Sequence, residues 1–105
     1  MGTIEKILIR IKSSVTDTDP DASIILFGSH ARGDQSDSSD IDLLILLDKE
    51  KINREDEKRV KYPLYEIEFE TGQIISPIVF SKTEWNNRHR ITPFHSNVIK
   101  EGITL

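Results

Sequence analysis

Residues 23–47 read SIILFGSHARGDQSDSSDIDLLILL, and the fold turns on how this stretch divides. Ser23 to Phe27 (SIILF) is a short apolar run rich in β-formers and predicts a buried strand. It stops abruptly at Gly28-Ser29. Ile41 to Leu47 (IDLLILL) is the most apolar stretch of the chain and predicts a central strand with Asp40 and Asp42 at its entrance. Between the two lies the polar segment HARGDQSDSSD, whose first half suits one or two helical turns and whose second half reads as loop.

Working outward, Ile4, Ile7, Leu8 and Ile11 fall at i, i+3, i+4, i+7, the stripe of an amphipathic helix from about Thr3 to Val15. Thr16 to Asp21 then reads as a loop broken by Pro20. Downstream, Asn53 is a candidate N-cap for a helix through Val60, Leu64 and Ile67. Pro63 should kink or divide that helix, and Gly72 should end it. Ile74 to Phe80 (IISPIVF) predicts a third strand, and Pro77, which cannot donate to a ladder, suggests an edge or a bulge. Ser81 and Glu84 have capping-box spacing, so a short helix should start there. Thr92-Pro93 is an N-cap followed by proline in the first helical position; Phe94, Val98 and Ile99 form the expected apolar face and Gly102 the stop. The resulting order is helix, strand, short helix, strand, helix, strand, helix, helix. This is a mixed α/β (α+β) domain, a small sheet of three or more strands covered by helices, with residues 1–105 forming one unit without repeats or linker.

Composition sets the outer bounds. The chain has 105 residues, enough for one modest core, with 36% hydrophobic and 30% charged residues, an ordinary globular balance. Net charge is −4, which argues against a protein that grips long nucleic acid through a basic face. A single triphosphate needs only a local positive site and is not excluded. There is no cysteine, hence no disulfide and no thiolate metal site. No apolar run approaches the roughly 20 residues needed to cross a bilayer, and the N-terminal MGTIEKILIRIK lacks the continuous apolar core of a signal peptide; both point to the cytoplasm.

Chemistry concentrates at two places. Asp40 and Asp42 are two apart in a strand, so they share a face while Ile41 and Leu43 turn to the core. Paired carboxylates attract a hard cation, and magnesium commonly uses one or two carboxylates plus substrate phosphates. The plainer alternative is a strand entrance whose aspartates face water. Gly28-Ser29 ends a buried strand, where glycine lets backbone approach a phosphate and serine offers hydroxyl and amide donors; the alternative is an ordinary turn. The pair of features says more than either: ten residues separate Ser29 from Asp40, and adjacent strands would set a phosphate cradle against metal carboxylates.

Gly28-Ser29-His30-Ala31-Arg32-Gly33-Asp34 followed by Ser39-Asp40-Ile41-Asp42-Leu43-Leu44 resembles the signature of the minimal nucleotidyltransferases, within the polymerase-β-like superfamily. The resemblance covers about twenty residues closely, and the element order agrees over most of the chain. It implies the nucleotidyltransferase fold and a transfer reaction: an acceptor hydroxyl attacks the α-phosphorus of a nucleoside triphosphate, ATP being the expected one, and pyrophosphate leaves. It implies that Gly28 and Ser29 hold the triphosphate, that Asp40 and Asp42 ligate one or two Mg2+ ions, and that Ser39 belongs to the nucleotide-binding set. Arg32 either approaches the phosphates or pairs on the surface with Asp34 or Asp37.

One departure stands out. The family usually carries a third carboxylate on the following strand, but the positions available here are Ser76 and Ile78. Glu66, Glu68 and Glu70 lie upstream; either one of them reaches the site or they form a solvated helix face. His30, His89 and His95 lack metal-ligand spacing, and Trp85 and Phe94 fit a core better than a base-stacking platform.

Two functions follow from this reading. Small domains with this motif resemble the antitoxin half of two-protein systems, in which the acceptor is a HEPN-domain toxin; an acidic chain complements a basic ribonuclease. A homodimer is the other assembly open at this point. The competing function is a nucleotide-binding or partner-binding module that lacks turnover for want of the third carboxylate.

Overall fold

In the computed structural model, residues 3–36, 38–87 and 92–105 are described. Helix α1 (Thr3–Thr18) leads into strand β1 (Ser23–Phe27), the single turn α2 (Ser29–Arg32) and strand β2 (Ile41–Leu47). Helix α3 (Arg54–Thr71), strand β3 (Ile75–Ser81), helices α4 (Lys82–Asn87) and α5 (Pro93–Glu101) and the two-residue strand β4 (Ile103–Thr104) complete the chain.

The sheet order is β3-β2-β1-β4. β1 runs antiparallel to β2 and to β4, whereas β2 and β3 are parallel, joined by the crossover helix α3. β2 is central, and its Ile41, Leu43, Leu44 and Ile45 are fully buried, as a strand covered on both faces must be. On one face Ile7, Ile11 and Val15 of α1 and Val60, Leu64 and Ile67 of α3 pack over Ile41, Leu43, Ile45 and Leu47. On the other, Leu44 and Leu46 meet Trp85 and Val98, with Phe27, Phe80 and Phe94 against them. Trp85 and Phe94 meet edge to face, ring centroids 5.8 Å apart, in the core role expected of them.

The fold matches the expected class, with local corrections. α1 runs on to Thr18 through the first half of the expected loop, because buried Val15 holds its last turn to the core and the Thr18 hydroxyl donates to the Ser14 carbonyl. α3 is one helix across Pro63. Proline inside a helix costs about 3 kcal/mol, and burial of Val60, Leu64 and Ile67 around it outweighs that. Ile99, expected on the apolar face of α5, is 65% exposed, while Val98 alone of that trio is fully buried. β3 starts one residue later than expected and lies at the sheet edge, where Pro77 is tolerated.

The caps act as their residue types require. Asn53 Oδ1 accepts the Asp56 N–H at 2.9 Å, and Asp56 Oδ2 accepts the Asn53 N–H at 3.0 Å. The Lys49 ammonium, 2.6 Å from Asp56 Oδ1, is the main cause holding this carboxyl below the ordinary aspartate range, assisted by the Asn53 N–H. Ser81 Oγ accepts the Glu84 N–H at 2.9 Å to start α4, and Thr92 Oγ1 accepts the His95 N–H at 3.1 Å to start α5. Gly102 lies where a Cβ would press on Ile25 and on the Val98 carbonyl, so the chain turns from α5 into β4 tight against β1.

Candidate functional site

The site forms where the end of β1 meets the start of β2. Phe27 and Asp42 are paired across the two strands, so the residue after β1, Gly28, arrives beside the Asp42 carboxylate. Gly28 has φ +74°, and a Cβ there would overlap Asp42 Oδ2. Glycine is thus required twice, for the backbone conformation and for the close approach. Beyond it α2 closes one turn, with the Ala31 and Arg32 N–H groups both donating to the Gly28 carbonyl at 3.1 Å. Gly33, at φ +81°, ends the turn with its N–H on the Ser29 carbonyl.

Asp40 and Asp42 stand at the mouth of β2, with Ile41 between them fully buried, as the alternation of a strand demands. Asp40 is exposed and Asp42 half-buried. Burial is the main cause raising the Asp42 carboxyl above its ordinary pKa; the Asp40 charge adds to it, while His30 and Arg32 draw it back. Ser39, just before the pair, is engaged within the fold: its Oγ accepts the Ser36 N–H at 2.9 Å and its carbonyl accepts Gln73 Nε2 at 2.8 Å. His30 Nε2 lies 3.2 Å from the same Ser39 carbonyl and ties α2 to the loop leading into Asp40. Neither His30 nor Gln73 stood out in the sequence as part of this frame.

The parallel register puts Ser76 of β3 opposite Asp42 and Ile78 opposite Leu44. Ser76 Oγ donates to Asp40 Oδ2 at 3.2 Å. A hydroxyl therefore stands beside the aspartate pair at the place where the motif resemblance implies a third carboxylate. The upstream glutamates are engaged elsewhere. Glu68 Oε1 accepts the Ile75 N–H at 2.7 Å, Glu70 pairs with Arg10 of α1 at 2.6 Å, and Glu66 lies with Tyr62, Tyr65 and Phe69 along a shallow apolar groove on α3.

The carboxylate that does reach this region comes from the far end of the chain. Glu101 Oε1 accepts the Gly28 N–H at 3.2 Å, and both Glu101 oxygens lie 3.3 Å from Arg32 Nη1. Arg32 also donates from Nε to Asp34 Oδ2 at 3.1 Å, one of the two surface pairings considered for it; Asp37, the other, lies outside the described residues, as does His89. His95 stacks on Trp85 with ring centroids 4.5 Å apart and is no part of the site.

The donor set suits a hard divalent cation that brings its own ligands. Two like-charged carboxylates adjoin, one of them with its pKa pushed up, which is the electrostatic condition a cation relieves. Among the described residues no group of three His, Cys, Asp or Glu side chains is placed to hold a metal by itself. Two carboxylates with the remaining ligands supplied by phosphate and water match the way magnesium is usually held. Among the described residues no helix is long and apolar enough to cross a membrane.

Known proteins are similar to this chain in sequence. Over 61 residues, 57% of this chain and 60% of the relative's length, the chain is 41% identical to "Putative protein adenylyltransferase MJ0141" of Methanocaldococcus jannaschii. Over 85 residues, 78% of this chain and 75% of the relative's length, it is 39% identical to "Putative protein adenylyltransferase MJ0604" of the same organism. The sequence profile of the nucleotidyltransferase domain matches residues 8–103, which include β1, the Gly28 turn, the aspartate pair, β3 and Glu101. The chain belongs to the nucleotidyltransferase domain family.

Proposed function

We propose that this domain transfers a nucleoside monophosphate from a nucleoside triphosphate, ATP being the expected donor, to a hydroxyl of a partner protein. The carrying observation is the contact between Gly28 and Asp42, which brings the end of β1 and the aspartate pair of β2 to one point. The words "protein adenylyltransferase" in the names of both relatives support ATP as donor and a protein as acceptor.

In this reading the Gly28 N–H and Ser29 receive the triphosphate, Arg32 neutralises its charge, and Asp40 and Asp42 hold Mg2+. The bound ion would supply charge neutralisation at the phosphates and a lowered pKa for the acceptor hydroxyl. The acceptor hydroxyl gives up its proton to water, its oxygen forms the new bond to the α-phosphorus, the bond from that phosphorus to the bridging oxygen breaks, and pyrophosphate carries off the electron pair. The buried strands beneath fix Asp42, and Gln73 and His30 brace the loop that delivers Asp40. Ser39 acts here as an anchor of that loop. A HEPN-type toxin is the partner the motif resemblance implies, and the net charge of −4 suits a basic acceptor.

A second reading, nucleotide binding without turnover, draws support from Ser76 standing beside Asp40 where the family usually has a carboxylate. Label transfer from α-labelled ATP with Mg2+ separates the two. It is measured with the protein alone and with the product of the neighbouring reading frame, beside Asp40→Asn and Asp42→Asn. Label on the partner that is lost in both variants supports transfer. Metal-dependent nucleotide binding with no label from any of the four nucleotides supports the binding module.

A further inference from the structure

Glu101 is the last residue of α5, and a carboxylate at a helix C-terminus opposes the helix dipole. Helix electrostatics therefore give no reason for it. Its partners do: it accepts the Gly28 N–H and faces Arg32 Nη1 with both oxygens. These are a backbone donor and the guanidinium of the turn after β1, and a carboxylate resembles a phosphate in charge and in the geometry of its acceptor oxygens. The backbone beneath Glu101 is tightly set. The Gly102 N–H donates to the Val98 carbonyl at 2.7 Å, Ile103 pairs with Leu26, and the Leu105 N–H donates to the Ile24 carbonyl at 2.9 Å. Only the Glu101 side chain is free to leave, and it is 25% exposed, which opens a path to solvent.

We propose that Glu101 is a resident competitor for the triphosphate: its carboxylate occupies the Gly28 N–H and the Arg32 guanidinium, and nucleotide enters by displacing it. The proposal rests on the reading that Gly28 and Arg32 receive the triphosphate. Displacement exchanges one acceptor for another at both donors. Arg32 keeps its bond to Asp34 while it passes from Glu101 to a phosphate oxygen. A magnesium ion held by Asp40 and Asp42 would supply charge neutralisation that lowers the repulsion between Glu101 and the incoming phosphates. The competition lowers apparent affinity by the fraction of molecules in which the seat is free.

The test is calorimetric titration of MgATP into the wild type, Glu101→Gln and Glu101→Ala, with the KM for ATP and kcat read wherever transfer is measurable. Glu101→Gln keeps the side-chain shape and guards against a folding defect, and a thermal melt of each protein checks it. We expect Glu101→Ala to bind MgATP roughly tenfold more tightly, with Glu101→Gln between it and the wild type. KM for ATP falls in parallel and kcat stays as it was. Wild-type binding that neither variant exceeds overturns the competitor: weaker binding in both makes Glu101 a positioning residue that holds Arg32 for the nucleotide, equal binding gives it no part in nucleotide entry, and the proposed function stays intact in either case. Folded proteins of which none binds MgATP overturn both the competitor and the nucleotide site.

Discussion

Ser76 and Asp42 sit opposite one another in the parallel pairing of β2 and β3, and the Ser76 hydroxyl bonds to the neighbouring Asp40 carboxylate at 3.2 Å. Any group at position 76 thus faces the aspartate pair. Ser76→Asp introduces a third carboxylate there. A placed general base contributes on the order of 10²-fold, so transfer at saturating MgATP should rise toward that factor if the acceptor hydroxyl lacks a base in the wild type. The measurement is single-turnover label transfer; a rate unchanged in a folded variant would show that the acceptor approaches from another side.

Asp42 is a source of instability in the metal-free protein, since burial and the Asp40 charge both disfavour its ionised form. Asp42→Asn removes the charge at constant shape. In EDTA its melting temperature should exceed that of the wild type by a few degrees; with Mg2+ present, its label transfer should fall by roughly three orders of magnitude for want of a held cation. Adding Mg2+ should raise the wild-type midpoint and leave the variant where it was. A variant less stable than wild type in EDTA would contradict the repulsion.

Two glycines of similar φ but very different ψ, −156° at Gly28 and 14° at Gly33, predict different outcomes. Gly28 and Gly33 have φ of +74° and +81°, but only at Gly28 would a Cβ strike a neighbour, the Asp42 carboxylate. Gly33→Ala should cost about 1 kcal/mol of backbone strain and retain nucleotide binding. Gly28→Ala should cost more, on the order of 2–3 kcal/mol, and displace Asp42. Chemical denaturation and MgATP titration of the two variants together check this; equal losses would remove the special place given to Gly28.

At the opposite end of the sheet, Asp56 stabilises the fold through Lys49 and through its reciprocal bonds with Asn53. Its pKa is lowered on folding, so its contribution is present above the unfolded aspartate value, about 3.9, and is lost as pH falls through the lower folded value. Melting curves from neutral to strongly acid pH should therefore show a shallower acid decline for Asp56→Asn than for wild type. Asn53→Ala should cost about 1 kcal/mol at neutral pH through the lost cap.

Much of this molecule is local and therefore legible in sequence. The strand ends at Gly28 and Leu47, the caps at Asn53 and Thr92, and the stop at Gly72 all depend on residues within a few positions of each other. The pairing of Gly28 with the aspartates could be anticipated because both halves flank adjacent strands. Glu101 could not, because its partner Gly28 lies 73 residues away and nothing in the run VIKEG distinguishes this glutamate from a surface one. β4 escaped notice for a related reason: two residues make no periodic signal, and Ile103-Thr104 become a strand only because β1 offers them an edge. Pro63 misled in the other direction, since the local rule against proline in a helix gave way to packing on α1. The fates of Glu68 and Glu70 were set by what β3 and α1 placed against them, while Glu66 stays among Tyr62, Tyr65 and Phe69 of its own helix.

The outer edge of β3 has a bearing on how the protein keeps to itself. The Ile41 N–H bonds to the Ile74 carbonyl, so β2 meets the even-numbered residues of β3 and the odd-numbered ones turn their amides outward. Of these outward amides, that of Ile75 is taken by the Glu68 carboxylate, and Pro77 has none. A foreign strand seeking to extend the sheet would find its first two rungs missing. With a central strand as apolar as IDLLILL one place inside, that blunted edge guards the chain against stacking into larger sheets during synthesis and storage.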